Sequence, residues 1–224
     1  MLNDNRMRII IGHYGSGKTE FSVNYAMKLA EEGKKVALGD LDVVNPYFRS
    51  REKQDILEEK GIRVIGSSLG MKSGADLPAV SASILAPIQD KSYDLVLDVG
   101  GDSVGARALA RYYASFKEGN YDMFCVINAN RPGTQTVEDA IEHIEGIEAA
   151  SRTKVTGIIN NTHLLRHTTV DDVLRGQELA IKVSEKLSIP IKYVSAIEEV
   201  ARQLPKDIEG QIFPIKMYMR EDWM

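Results

Sequence analysis

The sequence predicts an α/β fold: a three-layer, doubly wound, mostly parallel sheet flanked by helices. Three observations carry that expectation. Short apolar runs alternate with longer stretches of helical character along the chain, the pattern of parallel strands joined by crossover helices. Several of those runs lack polar alternation, as strands covered on both faces do. A glycine-rich turn follows the first run directly and opens a helix-like stretch.

In chain order, strands are expected at 8–11, 35–38, 63–65, 94–97, 123–128, 155–159 and 191–194, each a short run rich in Val, Ile and Leu. Helices are expected between them at 18–32, 45–59, 107–116, 137–151, 171–187 and 196–204. Gly33, Gly61 and Gly119 stand near the ends of three helices, where a left-handed residue costs least. The stretch 66–92, with its glycines, serines, Pro78 and Pro87, reads as a loop or short helix on the side of the glycine-rich turn. No repeat, low-complexity tract or linker divides the chain, so residues 1–224 are expected to form a single domain. At 43% apolar residues that length buries a full core.

Composition excludes several classes of function. A net charge of -4 offers no general attraction to nucleic acid or to an anionic membrane. The single cysteine, Cys125, rules out a disulfide or thiolate cluster within one subunit, and a cytosolic location is expected. Residues 1–7 are polar and charged, and no later run approaches the roughly 20 apolar residues of a membrane span.

The turn itself is Gly12-His13-Tyr14-Gly15-Ser16-Gly17-Lys18-Thr19: two glycines separated by four residues, then lysine and threonine. Gly15 and Gly17 let the backbone, with Ser16 between them, wrap closely enough for N–H groups to face phosphate oxygens, and the helix start adds partial positive charge. Lys18 is expected to reach the terminal phosphates, and Thr19 to place its hydroxyl on magnesium. Two carboxylates, Asp40 and Asp42, follow the second strand, and Asp98 follows the fourth in the run Asp98-Val99-Gly100-Gly101. In a parallel sheet the strands' C-terminal ends share one edge, so all three acids are expected to face one nucleotide, with Gly101 near its last phosphate.

These residues resemble the MinD/ParA-like ATPases of the SIMIBI class of P-loop proteins, a group that includes dethiobiotin synthetase. The resemblance rests on 15–19, on Asp40-Leu41-Asp42 with Pro46 close behind, and on Asp98 with Gly101. It implies ATP and magnesium as cofactors, Lys18 and Thr19 binding phosphate and metal, and Asp42 positioning the attacking water. It also implies that Asp40 and Asp98 support magnesium through its hydration shell, and that the nucleotide controls a homodimer. The family's loop usually carries an early lysine followed by two glycines; here those positions read His13-Tyr14-Gly15, so the cross-dimer lysine is absent. His13 stands either as a protonatable substitute or as a loop-surface residue.

Guanine is usually read by an aspartate two residues after a lysine that follows asparagine, whereas the sixth strand ends in Asn160-Asn161-Thr162-His163. No such aspartate follows, and the resemblance implies adenine as the base, contacted by Asn160 or Asn161, since family members often use an asparagine near this strand end; each residue equally suits a strand-ending turn. The stretch 128–132 is a candidate for the other side of the base. Cys125 reads as a small buried hydrophobe, and His143, His163 and His167 read as loop or solvent-facing residues, lacking ligand spacing. The segment 213–224, rich in methionine and aromatics, reads as a surface-covering tail. The function expected is an ATP-hydrolysing switch or maturation factor for a partner protein. An ATP-dependent small-molecule kinase or ligase, with 66–92 in its acceptor pocket, is the alternative, and a binding module without turnover the third.

Overall fold

The computed structural model describes residues 2–42, 53–66, 82–117 and 119–219. Its sheet is eight-stranded: β1 (Met7–Gly12), β2 (Val36–Leu41), β3 (Arg63–Ile65), β4 (Asp94–Val99), β5 (Asp122–Ile127), β6 (Gly157–Asn160), β7 (Ile191–Ile197) and β8 (Gln211–Ile215). The spatial order is β3-β2-β4-β1-β5-β6-β7-β8 and every pair is parallel. The fold is the doubly wound one expected. The strands β1, β2, β5 and β6 are buried at every position, which is why their sequences read as unbroken apolar runs.

Helices cover both faces. Period-two alternation sends Ile10, Val36, Leu38, Val96 and Phe124 to one side, where they meet Phe21, Tyr25 and Leu29 of α1 (Lys18–Glu31) and Leu57 of α2 (Gln54–Glu59). Ile9, Ile11, Leu95, Leu97 and Cys125 point the other way. There they pack with Ile88 of α3 (Leu85–Gln89), Leu109 of α4 (Ser103–Ala110), Ile144 and Ile147 of α5 (Val137–Ser151) and Val173 and Val183 of α6 (Val170–Leu187). A short α7 (Glu198–Ala201) precedes β8. Burial pushes the Cys125 thiol up to about 12, as befits an inert core residue. Among the described residues no helix is long and apolar enough to cross a membrane.

Several boundaries differ from the sequence reading, each for a local reason. Gly100 and Gly101 suggest a loop, yet α4 starts at Ser103 because the Asp102 carboxylate accepts the Gly105 N–H at 2.7 Å. The seventh strand runs on to Ile197, leaving four residues for a helix expected over 196–204. β8 takes in the start of the segment 213–224, expected as a surface-covering tail: Phe213 and Ile215 are buried in the outermost strand, where Pro214 is tolerated. The helix α3 sits at the strands' N-terminal edge, where Arg6 donates to Pro87 O at 3.1 Å, rather than beside the glycine-rich turn. The expected helix over 45–59 is described only from Lys53 onward, and most of 66–92, with Pro46, lies outside the described residues.

The helix α6 is fixed at its start by a reciprocal cap, Thr169 accepting from Asp172 N and Asp172 accepting from Thr169 N. It then crosses the end of β6 at Gly176. A Cβ there would fall inside contact distance of Thr162 Oγ1, which already accepts the Ala129 N–H. Replacing Gly176 by alanine gains about 1 kcal/mol of helix propensity but costs about 1–3 kcal/mol of overpacking. Gly176→Ala is therefore expected to lower the urea midpoint of unfolding, and a midpoint at or above wild type would show that α6 yields freely.

Candidate functional site

Sheet register assembles the site. Asp40 of β2 and Asp98 of β4 are direct partners across adjacent parallel strands, and Asp98 also pairs with Ile10 of β1, two residues before the glycine-rich loop begins. Asp42 lies two residues beyond Asp40, so the side-chain period of two sends all three carboxylates to the α1 face of the sheet. The strand order places β4 between β1 and β2, which brings the loop after β1 over these acids.

The loop closes around Gly17, a left-handed residue with φ of 87° that serves as the cap of α1. A Cβ on Gly17 would overlap the side-chain amide of Asn161. That amide donates to Ser16 O at 2.7 Å and its oxygen accepts the Ser195 hydroxyl at 2.7 Å, tying the loop to the ends of β6 and β7. Arg131 Nε donates to Gly15 O at 3.2 Å from the other side. Gly101 abuts the loop so closely that a Cβ would overlap Gly12 O. Ser16 Oγ is buried and has no hydrogen-bond partner among the described residues.

Lys18 emerges from the first turn of α1 into the acids, with Nζ 2.7 Å from Asp42 Oδ2 and both side chains buried. Burial works to discharge the ammonium, but Asp98, Asp42 and Asp40 together outweigh it and hold its pKa above the ordinary lysine value. Asp98 is fully buried; desolvation drives its pKa up to about 7, against the pull of Lys18 and with the repulsion of Asp40 and Asp42 added. Among the described residues one ammonium thus faces three buried carboxylates. Thr19 lies beside Asp98, close enough for its hydroxyl to hold that pKa down.

This donor set consists of hard oxygens, the class that suits magnesium. Among the described residues no group of three or more His, Cys, Asp or Glu side chains is spaced to hold a metal directly. The arrangement fits an ion that keeps most of its water and takes few protein ligands.

A cavity of about 300 Å³ opens beside the loop. Gly15, Gly17, Lys18 and Thr19 of the loop line it, together with Asn161, Ala196, Ile197, Ile215, Met217 and Met219. The structure brings together the predicted Gly15, Ser16, Gly17, Lys18, Thr19, Asp40, Asp42, Asp98, Gly101 and Asn161. It does not bring Asn160 there: one position earlier on β6 it faces α6, donating to Val173 O and Gln177 Oε1, both at 3.0 Å. Glu20, Arg131 and His163 also line the cavity; Arg131 falls in the stretch 128–132 expected at the base, whereas nothing in the sequence singled out Glu20, and His163 was expected as a loop or solvent-facing residue. His143 is not a solvent-facing histidine as expected. Its ring meets that of His13 edge-on, with centroids 5.5 Å apart, and burial with His13 nearby lowers its pKa to about 4.

The family model described as the CobQ/CobB/MinD/ParA nucleotide binding domain matches residues 9–203. No curated protein matches the sequence. Among solved structures, the cell division protein FtsY of Thermotoga maritima aligns at 24% identity with a TM-score of 0.61, over 88% of this chain and 64% of that one. The signal recognition particle receptor FtsY of Elizabethkingia anophelis in complex with GDP aligns at 21% identity and TM-score 0.55, over 87% of this chain and 58% of that one. A nucleotide-binding protein of Archaeoglobus fulgidus in complex with ADP aligns at 16% identity and TM-score 0.50, over 88% and 84%. These likenesses establish the P-loop fold, and this chain spans less than two thirds of the FtsY chains.

Two groups contribute pH dependences of opposite sign to the stability of the protein. Asp98, raised to about 7 by burial, stabilises the fold below the unfolded carboxylate pKa near 4, and that contribution disappears as pH climbs through 7. His143, lowered to about 4, stabilises it above the unfolded histidine pKa near 6.5, and that contribution disappears as pH falls through 4. Relative to wild type, Asp98→Asn should therefore gain stability as pH rises from 4 to 7, while His143→Phe should gain it as pH falls from 6.5 to 4. Denaturation at a series of pH values checks both slopes, and parallel curves for either variant would remove that group from the account.

Proposed function

From membership in the CobQ/CobB/MinD/ParA nucleotide-binding family, to which this chain belongs, we propose that it binds ATP with magnesium and hydrolyses it as a switch controlling a partner protein. The observation that carries this reading is the buried Lys18–Asp42 ion pair at 2.7 Å, beside Asp98 and at the phosphate end of the cavity. Lys18 is charged, held at the wrapped loop, and paired with a carboxylate that a phosphate oxygen can replace.

In this mechanism Gly15, Ser16 and Gly17 present main-chain N–H groups to the phosphates, and Lys18 turns from Asp42 to the terminal phosphate oxygens. That exchange leaves Asp42 with a carboxylate able to orient a water for attack. Thr19, Asp40 and Asp98 are the residues that would hold magnesium, Thr19 through its hydroxyl and the two carboxylates through water. When bound, magnesium neutralises phosphate charge that the three carboxylates would otherwise repel. Gly101, held against the loop backbone, is the residue through which presence or loss of the last phosphate reaches α4.

Adenine is the base this cavity suits. Guanine's ring N–H and amino group need an acceptor, commonly a carboxylate, and Glu20 is the one carboxylate among the described residues lining the cavity. Its oxygens already accept main-chain N–H groups of Tyr218 and Met219. Asn161 is engaged with Ser16 and Ser195, so its proposed part in base binding is to set the cavity's floor.

Purified protein with ATP and magnesium alone should release phosphate. Strict dependence on an added metabolite would instead favour a kinase or ligase, and binding without turnover a passive module. Lys18→Ala should weaken ATP binding measured by calorimetry, because the main charge partner of the phosphates is lost; unchanged affinity would remove Lys18 from its role. Asp42→Ala should retain ATP and slow its cleavage about 100-fold or more. Single-turnover cleavage at the wild-type rate would withdraw the water-orienting role.

A further inference from the structure

The segment that follows β8 borders the cavity beside the phosphate loop. Asn24 of α1 holds Lys216 at both polar groups of its backbone, donating to Lys216 O at 2.8 Å and accepting from Lys216 N at 2.7 Å. One turn earlier, the Glu20 carboxylate accepts the Tyr218 N–H at 2.6 Å and the Met219 N–H at 3.1 Å. The spacing of four places Glu20 and Asn24 on one helix face, and the bonds to the carboxylate are charge-assisted and strong. Met219 is buried in the α1-side core, and both Met217 and Met219 border the cavity with Ile197 and Ile215.

We infer that 216–219 is the specificity-determining wall of the nucleobase site, with Met217 and Met219 as its contacts and Glu20 as the positioning residue that fastens it. The inference rests on the nucleotide-binding reading above. A purine is a flat aromatic ring, and thioether side chains are polarizable, adaptable partners for such rings. Glu20 follows Thr19 directly, so the helical turn that receives the phosphates also anchors the opposite wall. The separation between the phosphate loop and the base wall is thereby set within one turn of α1. The wall makes only apolar contact, so it grips a base by shape and stacking, while the phosphate loop is indifferent to what the phosphates carry.

Calorimetry on the full chain with magnesium tests this, using ATP and, separately, inorganic tripolyphosphate as ligands. The Met217→Ala/Met219→Ala double variant and Glu20→Ala should each bind ATP about tenfold more weakly, with no loss of tripolyphosphate affinity. The retained tripolyphosphate affinity reports an intact loop in the same sample. Glu20→Gln keeps an acceptor for the strap and should recover most of the ATP affinity. Equal losses for both ligands would overturn the inference, as would an ATP affinity unchanged in both alanine variants, and the latter leaves the nucleotide reading standing. A wild-type protein that binds neither ligand would remove that reading and this inference together.

Discussion

The site is organised around one ammonium among three carboxylates in a place almost closed to water. Lys18 is nearly fully buried, as are Asp40, Asp42 and Asp98. A charge in such surroundings is tolerated only when paired and hydrogen-bonded. The ion pair with Asp42 meets that demand for Lys18, whereas burial, with the repulsion of Asp40 and Asp42 added, raises the pKa of Asp98. Every other feature of the site either delivers these groups to one point or prevents them from leaving it.

Delivery is a matter of topology. The order β2-β4-β1 and the parallel register make Asp40 and Asp98 neighbours although 58 positions of sequence separate them, and bring the loop after β1 over both. No single strand contributes more than part of the cluster. Retention falls to the loop's ties: Asn161 through Ser16 O, Arg131 through Gly15 O, and Gly101 through close backbone contact. A loop rich in glycine is conformationally free in the unfolded chain, and these three contacts are what hold it in one shape.

Much of this was legible before any coordinates. The apolar runs predicted strands because both sheet faces are covered, and the phosphate loop with its following acids announced the C-terminal edge. What stayed hidden depends on partners far apart in sequence or on a choice of one residue. Nothing local distinguishes Asn160 from Asn161, yet the side-chain alternation of a strand turns the first to α6 and the second to the loop. Glu20 reads as an ordinary acidic residue in a helix's first turn, and its tail partners lie about 200 residues away. β8 was concealed by a run of methionines and aromatics that read as a tail, and α4 begins earlier than expected because Asp102 caps it.

The electrostatics also say what must enter with a triphosphate on the proposed reading. Lys18 brings a single positive charge that Asp42 already neutralises, and Asp40 and Asp98 add negative potential immediately behind it. Bringing a polyanion to that spot without compensation sets like charges together in a low-dielectric environment, where their repulsion is far stronger than in water. The main-chain N–H groups of 15–17 and the start of α1 supply only partial positive charge. Full compensation needs a cation that the carboxylates themselves attract, so the acids that would repel the phosphates alone become the reason a metal-bound nucleotide is preferred. On the proposed reading the same reasoning divides the labour of the cavity: charge governs binding at Lys18, and shape governs what is accepted against Met217 and Met219.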